Sequence, residues 1–279
     1  MKIRFTKMNG AGNDFVMIDN RDGEIQLSER SIRFLCDRKR GVGGDGVITI
    51  EQDPDLDFRM RYFNRDGGEA EMCGNGARCA AVFASSLGIG KVADNRTYLR
   101  FGTRPGNLEA VVRGSRVAVS MTDATSFEEA VSVPVAQGEE IVHLINTGVP
   151  HAVSVEDDWN RLTDEGVLTR GKSIRSHDRF SPAGVNANFV AVRQDGRVVI
   201  RTYERGVETE TLACGTGAVA GAVVLAHLGL AVSPVRLVTH GEEELEVSFV
   251  ATPNGATEVV LEGPAAVNFE GSVELSAKE

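Results

Sequence analysis

Two stretches of sixteen residues repeat each other: CGNGARCAAVFASSLG at residues 73–88 and CGTGAVAGAVVLAHLG at residues 214–229. They are identical at eight of sixteen positions and lie 214 − 73 = 141 residues apart, about half of the 279-residue chain. Each stretch is rich in alanine, nearly uncharged, and closed by a glycine, the residue that most often ends a helix. A helix that is apolar all round belongs inside a fold rather than on it. We therefore predict one buried helix in each half of the chain.

The chain upstream of each stretch also matches, in the same order. Residues 9–19 align with residues 146–156, so that Asp14 aligns with His151. A shorter match lies just before each cysteine stretch. Three matches in one order indicate duplicated domains. We predict a first domain at residues 1–125 and a second at 126–279, with the join near 123–134, where the strand pattern lapses. The last ~15 residues could pack back on the first half.

Most of the remaining chain has the pattern of short strands. β-branched or alternating runs are separated by Gly, Asn and Asp, and Asp195-Gly196 is a strong hairpin turn. Amphipathic helices are fewer: one is predicted over residues 30–40, and another begins near 158–161. Many strands with one buried helix per half predict an α+β fold, not alternating βα units. The predicted strands are 3–7, 15–19, 47–51, 58–64, 108–113, 117–121, 190–194, 198–204, 235–239, 245–250 and 258–262.

Composition narrows the class of protein. There are 30 Lys+Arg against 40 Asp+Glu, a net charge of −10, so the chain lacks the broad positive field that nucleic acid or anionic lipid requires. No apolar run is long enough for a signal peptide or a membrane span. Four cysteines are too few for a disulfide scaffold of this length. We therefore expect a cytoplasmic protein with reduced thiols, no nucleic-acid partner and no membrane partner.

A cysteine that begins a buried helix has a distinct chemistry. The helix start carries N–H groups without partners and about half a positive charge, which favour a thiolate or a bound carboxylate. Two such starts, facing each other with Cys73 and Cys214, would place two sulfurs across a gap. An amino acid fits there, with its carboxylate on the helix starts and its α-carbon between the sulfurs.

Inversion of that carbon needs a proton removed from one face and another returned to the opposite face. A thiolate and a thiol can do this without moving, because the pKa of a thiol lies near neutrality. The helix-end N–H groups would stabilise the charge that builds on the carboxylate. This hypothesis needs no cofactor and no metal.

Other interpretations of these residues remain. Cys36 and Cys79 have no counterpart in the repeat and are predicted to be core residues. GVGGDG at residues 41–46 fits a dinucleotide fingerprint, but it precedes a strand instead of following one, so we interpret it as a turn. Cys73 and Cys214 could instead form a redox disulfide, although a switch would not need the glycine-rich helix start twice.

Several polar residues are candidates for supporting roles. His151 follows Pro150 in a short turn of the repeat, although a surface histidine is about as well supported by the residues alone. Glu204 precedes Arg205, so a solvated salt pair is the default interpretation. Asn13, Asn64 and Asn186 lie beside aromatic residues or in turns, where turn chemistry alone could account for them.

In combination, the motifs resemble those of the diaminopimelate epimerase family, in family order. They are residues 10–15 (GAGNDF), 63–64 (FN), 71–79 (EMCGNGARC), 150–151 (PH), 186–189 (NANF), 203–206 (YERG) and 211–218 (TLACGTGA). The resemblance implies two pseudo-symmetric domains, each a β-barrel-like, mostly antiparallel sheet around a central helix, with the site in the interdomain cleft. It also implies a homodimer and a cofactor-independent conversion of LL-diaminopimelate to the meso form, for lysine and peptidoglycan precursor synthesis.

The resemblance also implies a role for individual residues. Cys73 and Cys214 would be the opposed acid and base, with His151 and Glu204 tuning or orienting them. The predicted substrate-binding residues are Asn13, Asn64, Asn186, Glu204 and Arg205 for the distal amino-carboxylate group, and the backbone at Gly74, Asn75, Gly215 and Thr216 for the reacting carboxylate.

The chain departs from the family pattern at two places. Val149 stands where some members have asparagine, which removes one contact to the distal group, and the segment containing Glu208 is one residue longer than the commonest spacing. The nearest rival is a two-cysteine racemase of the proline racemase kind, or a related epimerase for another amino acid. Asn75 favours the epimerase, because the proline racemase motif usually has histidine there.

Overall fold

The computed structural model describes residues 1–70, 73–135 and 138–275. Residues 71–72, inside the first cysteine motif, and residues 276–279, at the end of the predicted C-terminal segment, lie outside the described residues. The chain forms two compact units: unit 1 is Met1–Val119 with Gly263–Glu279, and unit 2 is Ser120–Glu262.

Strands dominate both units, and four α-helices occur among the described residues. The strands are β1 (Lys2–Gly10), β2 (Asn13–Asp19), β3 (Gly46–Glu51), β4 (Phe58–Asn64), β5 (Glu69–Ala70), β6 (Lys91–Ala93), β7 (Arg96–Gly102), β8 (Asn107–Arg113), β9 (Arg116–Ser120), β10 (Thr125–Val135), β11 (Gly138–Asn146), β12 (Pro150–Val155), β13 (Asn186–Val192), β14 (Val198–Glu204), β15 (Thr209–Thr211), β16 (Val235–Val238), β17 (Glu244–Thr252), β18 (Gly255–Pro264) and β19 (Ala266–Glu274). The helices are α1 (Glu29–Cys36), α2 (Gly74–Ser86), α3 (Asp164–Arg175) and α4 (Gly215–His227). The predicted α+β fold is confirmed.

The two units have the same sheet topology. The strand order is β19-β1-β2-β3-β4-β7-β8-β9 in unit 1, with β5 and β6 at its side. In unit 2 the order is β10-β11-β12-β13-β14-β16-β17-β18, with β15 at its side. Neighbours are antiparallel except β2–β3 and β4–β7, and the equivalent pairs β12–β13 and β14–β16. This shared order confirms the internal duplication.

A buried helix lies against the inner face of each sheet. In unit 1, α2 contacts β1, β2, β3, β4 and β8, and its Ala77, Ala80 and Ala84 are fully buried. In unit 2, α4 contacts β11 through β14 and β16–β17. The second helix of each unit, α1 or α3, covers the opposite sheet face with residues such as Leu35 and Val167. Each sheet therefore curves around one central helix, as predicted.

Every strand predicted from the sequence overlaps an observed strand, but the strands β5, β6, β7, β10, β11, β12, β15 and β19 were not predicted. Three of the predicted segments also differ from expectation. The helix predicted over residues 30–40 ends at Cys36, because Asp37 has extended backbone dihedrals, −68° and 115°. Near 158–161 the chain forms a 3₁₀ turn (Trp159–Arg161), and the helix α3 follows it. The region near 123–134 does not lapse into a loop: it contains β10, whose register shifts and mostly exposed side chains break the alternation.

Among the described residues, no helix combines the length and the apolar character needed to cross a membrane.

Gly10 is a packing requirement of unit 1. A Cβ at this position would lie 2.7 Å from the carbonyl oxygen of Asn75 and 3.3 Å from Sγ of Cys79. Gly10→Ala should therefore lower the free energy of unfolding by about 1–3 kcal/mol, the usual cost of overpacking. Urea denaturation followed by circular dichroism measures this loss. Gly106→Ala is the matched control, since a Cβ there meets nothing within 4 Å; equal midpoints for the two variants would contradict the packing argument.

Candidate active site

Cys73 and Cys214 occupy the same position in the two units, at the N-cap of the central helix. Each has extended backbone dihedrals, −141° and 116° for Cys73 and −120° and 114° for Cys214. The sulfur of each accepts a hydrogen bond from the N–H three residues on, Gly76 or Gly217, at 3.4 Å. A sulfur thus takes the capping role that Ser or Asp oxygens usually take.

The second glycine of each motif is required by packing. A Cβ at Gly76 would lie 2.8 Å from Cδ1 of Ile48, and one at Gly217 would lie 2.5 Å from Oδ1 of Asn188. The first turn of each helix therefore lies directly on a strand of its own sheet. At Gly76 and Gly217 the neighbouring sheet occupies the space that a side chain would need.

In unit 1 the sulfur of Cys73 contacts the side chain of Asn13. The distance from Sγ to Asn13 Oδ1 is 3.5 Å. The amide nitrogen of Asn13 donates to Oδ2 of Asp45 at 2.6 Å, and the backbone N–H of Asp14 donates to the same oxygen at 3.2 Å. Asp45 lies in the segment 41–46, which is a turn, as predicted, and which also holds the amide of Asn13.

Asp14, next to Asn13, is the centre of an ion cluster. Lys7 Nζ lies 2.6 Å from one carboxylate oxygen, and Arg38 donates to both, at 2.7 and 2.9 Å. Burial raises the pKa of Asp14, but the hydrogen bonds and charges of Arg38 and Lys7 outweigh it and lower the pKa to about 2. Arg38 also donates to Asp45 at 3.0 Å. Asp14 therefore stays ionised and anchors the two cations beside the Cys73 segment.

In unit 2 the buried polar pair is His151 and Asn188. The amide nitrogen of Asn188 lies 3.0 Å from Nδ1 of His151 and also donates to the carbonyls of Ala152 and Asn186, at 3.2 and 3.3 Å. Carbonyl oxygens only accept, so they fix this amide with its nitrogen toward the histidine. Nδ1 is then the acceptor, and the proton of neutral His151 resides on Nε2. Among the described residues, Nε2 has no hydrogen-bond partner.

His151 corresponds to an apolar residue of unit 1. It pairs with Asn186, the first residue of β13, and the residue that pairs with the first residue of β3 is Phe15. The alignment of Asp14 with His151 is therefore wrong by one residue at the sheet, because the two hairpins differ in loop length. Asn188 similarly occupies the place of Ile48 beneath the central helix. A polar pair in unit 2 thus replaces an apolar pair in unit 1.

Burial controls the titration of His151. The side chain is fully buried, which lowers its pKa from 6.5 to about 3, and the positive charge of Arg205 acts in the same direction. The imidazole is therefore neutral at physiological pH. A surface position for His151 is excluded.

Glu204, Arg205 and Asn186 lie together at the end of β14. The backbone N–H of Arg205 donates to Oδ1 of Asn186 at 2.8 Å, and its guanidinium lies 3.4 Å from the carbonyl of Ala183. Burial raises the pKa of Glu204. The Glu204 side chain is half-buried, and among the described residues it forms no ion pair with Arg205, so the solvated salt pair is not observed.

The other predicted residues are also placed within their own units. Asn75 is buried, and its side-chain oxygen accepts from Arg78 at 2.8 Å. Asn64 is exposed at the end of β4. Thr216 Oγ1 lies 3.5 Å from Sγ of Cys214, and the carbonyl of Thr216 accepts from Thr147 at 3.2 Å.

Asp45, Asn188 and Thr147 contact predicted site residues but were not assigned roles from the sequence. Asn188 had a detectable signal, since Asn186 and Asn188 share one face of a strand by the period of two. Asp45 had none, because its contact with Asn13 joins residues 32 positions apart. Thr147 likewise reaches a residue 69 positions away.

The sequence was then compared with known proteins. The family description "Diaminopimelate epimerase" matches residues 5–127 and 143–267. The chain belongs to the diaminopimelate epimerase family. A relative from Chlorobaculum tepidum with that name is 40% identical and covers 96% of this chain and 100% of its own. Another, from Aquifex aeolicus, is 41% identical and covers 96% and 97%. The predicted family and the predicted enzyme class, an epimerase, are both confirmed.

Solved structures share the fold at low sequence identity. A probable proline racemase from Agrobacterium radiobacter superimposes with a TM-score of 0.76 at 18% identity, covering 99% of this chain and 93% of that one. A PhzF-family phenazine biosynthesis protein from Bacillus anthracis gives 0.72 at 14% identity, covering 99% and 100%. The diaminopimelate epimerase family therefore shares its fold with these proteins.

The neutral, buried His151 gives a testable pH dependence. Its folded pKa lies below the unfolded value of 6.5, so the unfolded chain takes up a proton first as the pH falls. Below pH 6.5 this costs stability, about 1.4 kcal/mol per pH unit. His151→Phe, which copies Phe15 of unit 1, should remove that component from denaturation curves measured between pH 6 and 4. Above pH 7.5 the difference between the two proteins should be constant; parallel curves throughout would contradict a neutral, buried His151.

Proposed function

We propose that this member of the family inverts one α-carbon of LL-diaminopimelate, giving the meso isomer, with Cys73 and Cys214 as the two opposed bases. Support comes from the equivalent placement of the cysteines, each capping a buried helix in one of two duplicated units. The homologues named diaminopimelate epimerase favour this substrate. The reaction belongs to lysine biosynthesis, and we expect it to supply the peptidoglycan precursor as well.

In this proposal the protons move between sulfur and carbon. A thiolate takes the α-proton and becomes a thiol, and the other cysteine, initially a thiol, gives its proton to the opposite face and becomes a thiolate. The net charge of the pair is unchanged. The helix starts at Gly74–Asn75 and Gly215–Thr216 would hold the carboxylate and stabilise its developing charge, so that the α-proton becomes more acidic.

His151 and Glu204 would orient the groups around the reaction. The unpartnered Nε2–H of His151 is a donor without an acceptor among the described residues, which suits a hydrogen bond to a substrate or a sulfur. Glu204 is half-buried, and desolvation raises the pKa of its carboxyl. Both would position the catalytic thiols.

The distal amino-carboxylate group of the substrate would be bound by Arg205 and the asparagines. A guanidinium binds a carboxylate through two parallel hydrogen bonds. The backbone of Arg205 is fixed by Asn186, which would pre-position its side chain for the distal group, with Asn13, Asn64 and Glu204 completing the set. A homodimer and a cytoplasmic location remain predictions.

The two-base assignment predicts that Cys73→Ala and Cys214→Ala each abolish the reaction. LL-diaminopimelate incubated in deuterated water should gain deuterium at one α-carbon, and each variant should lose turnover by a factor of about 10²–10⁴ or more. The readout is mass spectrometry combined with a stereochemical product assay.

Cys79→Ala is the matched control for the cysteine variants. Burial raises the pKa of Cys79 to about 12, so this thiol is inert at neutral pH, and its variant should keep turnover. Full activity in both Cys73→Ala and Cys214→Ala would refute the proposed mechanism.

The distal-group assignment predicts a binding defect in Arg205→Ala. Losing a charge-assisted hydrogen bond of about 1.5–3 kcal/mol should raise KM by roughly 10–100-fold. Arg197→Ala is the control, since Arg197 lies at the surface and pairs with the turn residue Asp195. An unchanged KM in Arg205→Ala would point to a substrate without a distal carboxylate, and racemisation of proline alone would select the rival racemase.

A further inference from the structure

The turn that follows β14 is built around Glu208. It belongs to the segment that is one residue longer than the commonest spacing in the family. The backbone N–H of Glu208 donates to the carbonyl of Glu204 at 2.9 Å, and the carbonyl of Glu208 accepts from the hydroxyl of Tyr203 at 2.8 Å. Both backbone groups of Glu208 therefore hold the turn against the end of β14.

The backbone of Glu208 has a conformation that glutamate rarely adopts. Its φ is 60°, in the left-handed region, where a residue other than glycine costs free energy. Glycine adopts this φ at no steric cost, and glycine is the residue usually found there. A glutamate at such a position indicates that its side chain has a role in the turn.

The carboxylate of Glu208 joins the turn to the helix α3. Its Oε1 accepts from the backbone N–H of Gly206 at 3.0 Å and from Nε of Arg175 at 2.9 Å, and Nη2 of Arg175 lies 2.8 Å away. Arg175 reaches the turn because α3 packs closely on β14. A Cβ at Gly171, four residues earlier on the same helix face, would lie 2.4 Å from Cβ of Tyr203. One carboxylate oxygen thus fixes the turn relative to the helix.

Arg205 lies in this turn between two fixed N–H groups. Its own backbone N–H donates to Asn186 at 2.8 Å, and the next one, of Gly206, donates to Glu208. The side chain of Arg205 is partly exposed, and among the described residues its guanidinium forms no ion pair. Because two successive peptide groups are held, the direction in which the Arg205 side chain leaves the backbone is fixed as well.

We propose that Glu208 is a positioning residue for substrate binding: held by Arg175, it fixes the turn so that the guanidinium of Arg205 is presented to a distal carboxylate. The proposal rests on the proposed function, in which Arg205 binds that group. A turn that is fixed in advance does not have to be ordered in each binding event, which saves roughly three- to tenfold in affinity for one long side chain. Glu208 should therefore affect KM and not the chemistry at the two cysteines.

Glu208→Gly separates the backbone of the turn from the carboxylate. Glycine keeps the left-handed conformation, so the variant should stay folded, which thermal unfolding measures. Without the carboxylate, KM for LL-diaminopimelate should rise roughly three- to tenfold while kcat stays within about twofold. Exchange of the Gly206 amide in deuterated water, followed by NMR without substrate, should become roughly tenfold faster, because the amide loses its charged acceptor.

Arg175→Gln tests the same device from the helix. It removes the anchor of the carboxylate and leaves the residues of the turn unchanged. KM should rise in the same direction as in Glu208→Gly, again with little change in kcat. This variant also decides the proposal if Glu208→Gly does not fold.

A double-mutant cycle shows whether Glu208 acts through Arg205. If it does, Glu208→Gly should add nothing to the KM of Arg205→Ala, because the side chain that it positions is already absent. A general loosening of unit 2 would instead multiply the two effects. Glu242→Gly is the matched control: Glu242 is a glutamate of the same unit with a φ of 62° and an exposed side chain, so KM should not change.

The outcomes separate this proposal from the proposed function. A folded Glu208→Gly with an unchanged KM, or effects of Glu208→Gly and Arg205→Ala that multiply, would overturn the role of Glu208 while diaminopimelate is still inverted. Without any inversion of diaminopimelate the proposed function fails by itself. Exchange at Gly206 needs no turnover, so an unchanged rate in Glu208→Gly would overturn the role of Glu208 in either case.

Discussion

The structure depends on one constraint: a helix that begins inside a curved sheet must find partners for the N–H groups of its first turn. Four N–H groups at a helix start have no partner within the helix. In each unit a cysteine sulfur takes one of them, from Gly76 or Gly217. The glycines let that first turn lie against the sheet, and the cysteine fixes a sulfur at the positive end of the helix. The capping requirement and the chemistry therefore involve the same atom.

Both duplicated units keep the capping cysteine, but the residues around it differ. Unit 1 places Phe15 and Ile48 where unit 2 places His151 and Asn188. Burying a polar pair beneath the helix costs free energy unless its polar atoms form hydrogen bonds. The hydrogen bonds of Asn188 leave one polar atom of the pair without a partner among the described residues, Nε2 of His151. In unit 1 the polar groups instead form an ion cluster beside Asn13.

The sequence alone was informative where the signal is local. The helix starts, the glycines that end helices and the alternating strand patterns predicted the fold class, the duplication and the two capping cysteines. Each of these features spans no more than about sixteen residues. Eight strands were not predicted: β5, β6, β7, β10, β11, β12, β15 and β19. In β10, register shifts and exposed side chains removed the alternation. The contact between Asp45 and Asn13 could not be predicted, because it depends on how β2 and β3 align in space. The burial of His151 and the partial burial of Glu204 likewise follow only from the folded sheet.

The strand that borders β1 is β19, made of the last residues described, and the amino group of Met1 bonds to the carbonyl of Leu275 at 2.7 Å. Unit 2 has no such dependence, because β10 directly precedes β11 along the chain. During synthesis, domains usually fold in the order in which they leave the ribosome. Here the half that is translated first can close its sheet only after β19, which follows all of unit 2 along the chain, has been synthesised, so the earlier half is completed last.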